Sequence, residues 1–344
     1  MDHLGLAPES RRRVVVTGLG VVSSIGIGVE SFAEGLSQGR SGVSPISVFD
    51  MTGFAHRNGC EVHGFEPDRW LGEGASQTIG RASQFSVAAA SMALQDAGVD
   101  PRSLVDERGV ISVGTTDGES QDLDHLTETC VRQGPSHIPG EVARRVSSSW
   151  LSTAIARRFR LRRVESITIP TACAAGNYAI GYAYDALSAG EAAYALCGGS
   201  DAMCRKTLAG FYRLGTIAPE VCQPFDRHRQ GILTGEGSGI LFLEPLDSAR
   251  RRGVRIYAEI LGYGINCDAS HMVAPDRPSI SECIRRAHRN AGITPDRVDM
   301  IAAHGTGTKA NDVTEAGAIR EVFGEHPPPT VSIKSMIGHT MGAA

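Results

Sequence analysis

The sequence lacks a strong excess of either charge. Its 344 residues carry 34 Lys and Arg against 38 Asp and Glu, a formal net charge of −4. The basic surplus that normally marks a nucleic-acid protein is therefore missing. Two short basic runs, Arg11–Arg13 and Arg250–Arg252, each precede a β-like segment (Val14–Val16 and Arg255–Ile260) and read as solvated strand entrances. No stretch approaches the apolar length of a membrane span. The opening MDHLGLAPES has no long apolar run of the kind a secretory leader needs. None of the eight cysteines (Cys60, Cys130, Cys173, Cys197, Cys204, Cys222, Cys267 and Cys283) forms a C-x-x-C pair. The expectation is reduced thiols in a cytoplasm, with no disulfide framework and no metal site.

Glycine, in contrast, is plentiful: 41 residues in 344, against a usual ~7%. These glycines are spread among apolar segments, which points to tight turns and close backbone approaches rather than to disorder. They also punctuate an internal repeat. ALQDAGVDPRSLVDERGVISVGTT begins at Ala93 and AHRNAGITPDRVDMIAAHGTGT at Ala287. In each, a helix tail ends in Ala-Gly, a proline follows three residues after the glycine, and an apolar strand then stops at Gly-Thr. Glycine ends the helix and proline prevents its restart. Upstream, VVVTGLGVVSS from Val14 and IYAEILGYGINCD from Ile256 are both strand-like runs ending in Gly-x-Gly. Two copies of a strand–helix–strand unit predict a duplicated α/β architecture. RGVISVGTT, SITIPTA and AAYALCGGSDAM read as strands buried on both faces, and SVAAASMALQDAG as a buried helix. TGLGVVSS begins like a dinucleotide-binding loop but has no third glycine and no acidic residue at the right distance. An antiparallel hairpin explains it equally well.

The chemistry concentrates in ITIPTACAAGNYAIG, Ile167 to Gly181. A strand turns into a helix of small residues at Cys173, and that helix ends near Gly190. A cysteine at a helix N-terminus is drawn toward thiolate and becomes a better nucleophile. A lone cysteine more commonly behaves as a small core residue, and Cys197 inside YALCGG is that case. Two histidines have unusual settings. His304 ends the strand-like run MIAAHGTGT, and His339 follows SIKSMIG, read as a second strand ending in a turn. Both sit where a sheet presents side chains to a crevice. His3, His63, His125, His137 and His326 read as surface or satisfied histidines.

TACAAGNYAIG, PFDRHRQGILTGEGSGILFLEP, GYGINCDASHM, AAHGTGTKANDVTEAGAI and SIKSMIGHTMGAA together resemble the β-ketoacyl-acyl-carrier-protein synthases of the thiolase superfamily, in the family's order, from about Val14 to Ala344. The resemblance implies a duplicated five-layered α-β-α-β-α sandwich. A first half, 1–253, would carry the nucleophile, and a second half, 254–344, both histidines. It implies an acyl group held on Cys173, with His304 and His339 stabilising the enolate formed when a malonyl thioester loses carbon dioxide. Lys334 and Glu315 match supporting charged residues. Thr306 and Thr308 match positions that hydrogen-bond the phosphopantetheine arm, although turn chemistry also suits them. No permanently bound cofactor is implied; the arm of the acyl carrier protein brings the substrate.

Cys173, His304 and His339 occurring together resemble the elongating, synthase II-like class, since initiating synthases carry asparagine in place of the second histidine. The expected partners are an acidic acyl carrier protein and either a second copy or a chain-length subunit, which itself lacks the cysteine. Two departures stand out. Gln230 and Ile232 replace the family's aspartate and phenylalanine. The family also continues for several dozen residues beyond the position of Ala344, through a Gly-Phe-Gly-Gly-like loop that supplies one oxyanion N–H, Cys173 supplying the other. A chain cut short at its C-terminus, with weakened condensation, is the resulting expectation. The competing reading is an inactive or incomplete synthase-like subunit serving assembly or chain-length control. A thiolase-type enzyme would place a second cysteine as base, and none occupies such a context.

Overall fold

The computed structural model describes residues 11–271 and 273–344; MDHLGLAPES, with His3, lies outside them. A mixed sheet forms the frame. Across it run Gly26–Ile27, Val14–Ser23, Gly237–Pro245, Tyr194–Asp201, Gly109–Thr115 and Val164–Pro170. Gly109–Thr115 is parallel to both of its neighbours. Gly237–Pro245 is antiparallel to both of its own. TGLGVVSS is indeed a hairpin limb: Val22 faces Ile27 and Ser23 faces Gly26 in an antiparallel pair.

Two helices cover the two faces. Side chains alternate along Gly109–Thr115, so Ile111 and Val113 join Phe85, Ala89 and Leu94 of helix Arg81–Asp96 in one core. Val110 joins Ala183, Tyr184 and Leu187 of helix Ala175–Ser188 in the other. As expected of central strands, Gly109–Thr115 and Tyr194–Asp201 are buried throughout. Val164–Pro170 is only half-buried, which corrects the expectation of two covered faces. Among the described residues it pairs on one side alone, with Gly109–Thr115, and is an edge strand.

Glycine lets the first helix lie directly on the sheet. A Cβ on Gly20 would sit 1.8 Å from the carbonyl oxygen of Ala89, and one on Gly18 would sit 2.1 Å from that of Ala93. Neither backbone can yield without lifting the helix. Gly20→Ala is expected to cost ~3 kcal/mol of stability, read as a lower urea midpoint; an unchanged midpoint would contradict this packing.

The repeat is realised element by element. Helices Arg81–Asp96 and Arg277–Ala291 both end at a left-handed glycine, Gly98 at φ 62° and Gly292 at φ 66°. A single 3₁₀ turn follows each, Pro101–Leu104 and Pro295–Arg297. A parallel strand comes next, Gly109–Thr115 in one copy and the short Ile301–Ala302, paired with Thr330–Val331, in the other. The run from Ile256 behaves differently from its counterpart at Val14. Only Ala258–Ile260 is strand, and it adds antiparallel to Val14–Val16 of the first sheet. SIKSMIG is not a strand, which corrects the expectation: the strand Thr330–Val331 ends just before it. Lys334–Ile337 forms a short helix after Thr330–Val331, and the Ser332 hydroxyl accepts from the Lys334 N–H at 3.4 Å as the chain turns.

Candidate active site

Strand Val164–Pro170 delivers the chain to the end of the sheet, where it must reverse into a helix within a few residues. Ala172 makes the turn at φ 50°, a left-handed conformation that costs a residue with a Cβ roughly 1–2 kcal/mol. Cys173 lies in the 3₁₀ turn Ala172–Ala174 that runs into helix Ala175–Ser188, so the α-helix begins two residues later than the sequence suggests. Met341 (φ 54°) and Phe225 (φ 63°) are left-handed too. Both belong to the loops described below, and such strain persists where the surroundings over-determine it.

The two histidines arrive from the second half. His304 follows strand Ile301–Ala302, and the Glu315 carboxylate holds its loop by accepting the N–H groups of His304 (2.7 Å) and Gly305 (2.8 Å). Glu315 thus supports the site through the backbone of the His304 loop, and its Oε2 also accepts from Asn311 Nδ2 at 3.2 Å. His339 is strapped to the segment Leu233–Gly235: its N–H donates to Leu233 O at 2.7 Å, and its carbonyl accepts from Gly235 at 2.8 Å. The Met341 N–H donates to His339 Nδ1 at 3.1 Å. Nδ1 must then be unprotonated, leaving the proton on Nε2. That tautomer-setting donor was invisible in the sequence, because it is a main-chain group.

These elements bring Cys173 Sγ and one nitrogen of each imidazole within 4.8 Å of one another. The imidazole planes are nearly perpendicular, with centroids 5.3 Å apart. His339 is fully buried and Cys173 half-buried, while His304 is the exposed member at the open side of the site. Burial, and then the nearby Lys334 ammonium, lower the His304 pKa to about 4 and the His339 pKa well below its ordinary value. Both rings are neutral N–H donors at neutral pH. The Cys173 thiol does not follow the helix-terminus expectation. Burial pushes it up to about 11; Lys334 pulls it down, while Asp201 and Asp117 oppose ionisation. Lys334 itself is buried, and burial lowers its pKa. Its charge reaches the thiol and both imidazoles, so it disfavours a metal dication among them and favours a developing anion.

Thr306 is buried. Its hydroxyl lies 2.9 Å from that of Thr308, which accepts from the Asn311 N–H at 3.3 Å and caps helix Lys309–Phe323. The turn role of both threonines is thus realised. Asp312, not singled out in the sequence, accepts from the N–H groups of Phe225 (2.7 Å) and Gly307 (3.2 Å). It thereby ties the PFDRHRQ loop to the His304 loop. Gln230 is exposed, and nothing in the structure explains its departure from the family residue.

Residues 11–249 match the family description "Beta-ketoacyl synthase, N-terminal domain", and residues 257–344 match "Beta-ketoacyl synthase, C-terminal domain". The chain belongs to the β-ketoacyl synthase family. This ketosynthase is 36% identical to the 3-oxoacyl-[acyl-carrier-protein] synthase 2 of Synechocystis, over 98% of its own length and 84% of the relative's. It is 34% identical to the tetracenomycin polyketide synthase ketoacyl synthase alpha subunit of Streptomyces glaucescens, covering 97% and 82%. Among solved structures, the ishigamide ketosynthase/chain length factor matches with a TM-score of 0.95 and 54% identity, over 97% of this chain and 83% of that one. The ketosynthase of a type II polyketide acyl-carrier-protein complex matches at 0.85 with 33% identity, covering 97% and 83%. The ketosynthase therefore has the duplicated thiolase-like α/β sandwich and is an acyltransferase. No helix among its described residues is long and apolar enough to cross a membrane.

Proposed function

We propose that this chain condenses an acyl thioester held on Cys173 with a malonyl-acyl-carrier-protein, with loss of carbon dioxide, to give a 3-oxoacyl-acyl-carrier-protein in fatty-acid or polyketide synthesis. The observation that carries the reading is the meeting of Cys173, His304 and His339 within 4.8 Å, with His339 fixed as an Nε2–H donor. Cys173 sulfur attacks the incoming acyl thioester; the acyl–sulfur bond to the carrier breaks, and the carrier leaves as a thiol with the cysteine's proton. A malonyl thioester then occupies the vacated space, its carbonyl oxygen facing the two imidazole N–H groups. The bond to its carboxyl group breaks, carbon dioxide departs, and the electron pair is held as an enolate whose negative oxygen those donors and Lys334 stabilise. The enolate carbon attacks the acyl-Cys173 carbonyl. The carbon–sulfur bond breaks, the sulfur leaves as a thiolate, and a proton taken up from solvent restores the Cys173 thiol.

Neutral imidazoles suit this role, because they donate without carrying a charge of their own into the buried site. Thr306 and Thr308 follow His304 in its loop, and that nearness supports their contact with the phosphopantetheine arm. The nucleophile belongs to the half 1–253 and both histidines to the half 254–344. The half-buried edge of Val164–Pro170 offers a seat for a second subunit, either another copy or a chain-length subunit. The ishigamide neighbour, a ketosynthase/chain length factor, supports the latter. Cys173, which a chain-length subunit lacks, supports a synthase role for this chain over that of an inactive subunit serving assembly or chain-length control, and its free cysteines suit a reducing cytoplasm.

The test is acyl transfer from an acyl-carrier thioester followed by peptide mass spectrometry. The label is expected on Cys173. Cys197 and Cys204 are fully buried and burial raises their pKa values, so acyl groups found on either one instead would overturn the assignment.

A further inference from the structure

Asp201 ends strand Tyr194–Asp201 and is completely buried. Four donors converge on its carboxylate. Oδ1 accepts from Thr115 Oγ1 (2.5 Å) and the Asp117 N–H (2.9 Å). Oδ2 accepts from the Thr116 N–H (2.8 Å) and the Gly342 N–H (2.6 Å). The first three belong to the end of the neighbouring strand and the loop after it. The fourth belongs to the turn Met341–Ala343, whose Met341 N–H sets the His339 tautomer. Asp201 is thus a clamp between the sheet that presents Cys173 and the turn that presents His339.

A second carboxylate, Asp117, stands beside it. Asp117 is buried and is held by Lys206 Nζ at 3.0 Å and by the Thr207 hydroxyl at 2.5 Å. Burial, and then the Asp117 carboxylate, push the Asp201 carboxyl up to about 7, so its charge is complete only above that pH, in the range where the Cys173 thiol titrates; there both carboxylates oppose ionisation of Cys173. The charge on Lys334 favours it, and the remaining titratable groups at the thiol are the neutral His304 and His339.

We propose that Asp201 is a positioning residue of the condensation: one carboxylate oxygen fixes the His339 turn, and once ionised the carboxylate also restrains the free thiol of Cys173. This rests on the function proposed above. An amide at position 201 keeps the size of the side chain but presents an NH₂ group to donors, so at least one of the four bonds must be lost. The charge is lost with it.

The test compares Asp201→Asn and Asp117→Asn with the unaltered chain in two assays. One is the pH profile of iodoacetamide alkylation, followed on the Cys173 peptide; it requires no condensation activity. The other is carbon dioxide release from malonyl-acyl-carrier-protein. Both variants are expected to move the alkylation midpoint to lower pH, by about one unit. Asp201→Asn is expected to reduce decarboxylation ~100-fold, and Asp117→Asn much less, because Asp117 does not hold Gly342. A folded Asp201→Asn protein with an unchanged alkylation profile, or with decarboxylation equal to that of Asp117→Asn, overturns the proposal. If Asp201→Asn does not fold, Asp117→Asn decides: failure of its midpoint to move rejects the electrostatic role and with it the proposal. Absence of decarboxylation in the unaltered chain refutes the proposed function instead, and the alkylation arm still judges the role of Asp201.

Discussion

Cys173→Ala is expected to abolish condensation yet leave malonyl decarboxylation measurable, whereas His339→Ala should lower decarboxylation by ~100- to 1000-fold. The two half-reactions use different groups. Cys173 forms the acyl thioester, and without its sulfur no electrophile is held for the enolate. The imidazoles act on the malonyl unit, and neither requires the thiol for its position. His339 is fixed by Leu233, Gly235 and Met341, and His304 by Glu315 through the backbone. Alanine at 173 leaves all of these contacts in place. Removing the His339 imidazole deletes a neutral N–H donor from a buried site where water cannot substitute well. Carbon dioxide release and 3-oxoacyl product, measured separately with malonyl-acyl-carrier-protein, distinguish the two effects. Undiminished carbon dioxide release from His339→Ala would show that the enolate is stabilised elsewhere.

Much of the frame was legible because it depends on local signals. The Ala-Gly and proline punctuation at Gly98 and Gly292 announced two helix ends, and the apolar run from Gly109 announced a covered strand. Cys173 was legible from its strand-to-helix junction among small residues, His304 and His339 from glycine beside the ends of strand-like runs, and the three as a set from the family resemblance. What escaped depends on partners distant in sequence. Val164–Pro170 alternates Ile167 and Ile169 with Ser166 and Thr168, a pattern that could be read either way, and only the order of strands makes it an edge. Lys334–Ile337 lies in a short run with Ile333, Met336 and Ile337, which admits either a strand or a helical turn, and the contacts of Ser332 favour the turn. The Cys173 thiol was misjudged for a related reason. A helix terminus can be read from sequence, but the burial that outweighs it and the buried Asp117 and Asp201 cannot. Glu315 was correctly marked as a support, yet two of its partners are the main-chain N–H groups of His304 and Gly305, which a sequence pattern does not display.

The same dependence on distant backbone gives Gly199→Ala a large expected effect, although no catalytic side chain changes. Gly199 lies in the strand Tyr194–Asp201, directly beneath the turn Met341–Ala343. A Cβ there would stand 2.0 Å from the Gly342 carbonyl oxygen, 2.7 Å from its carbonyl carbon and 2.9 Å from Ala343 Cα. All three are main-chain atoms, so no rotamer change can relieve the overlap. The turn must retreat from the sheet, stretching the Gly342 N–H bond to Asp201 and the Met341 N–H bond to His339 Nδ1. His339 then loses both its position and the donor that keeps its proton on Nε2. Decarboxylation should fall ~100-fold or more, while acylation of Cys173, which needs neither bond, should fall much less. Gly239 is the control: it faces Gly199 across the neighbouring strand, and a Cβ there meets no heavy atom within 4 Å. Gly239→Ala should leave both half-reactions near their original rates. If the two substitutions reduce decarboxylation equally, the loss belongs to the sheet as a whole, and contact with the His339 turn is not what the glycine at 199 protects.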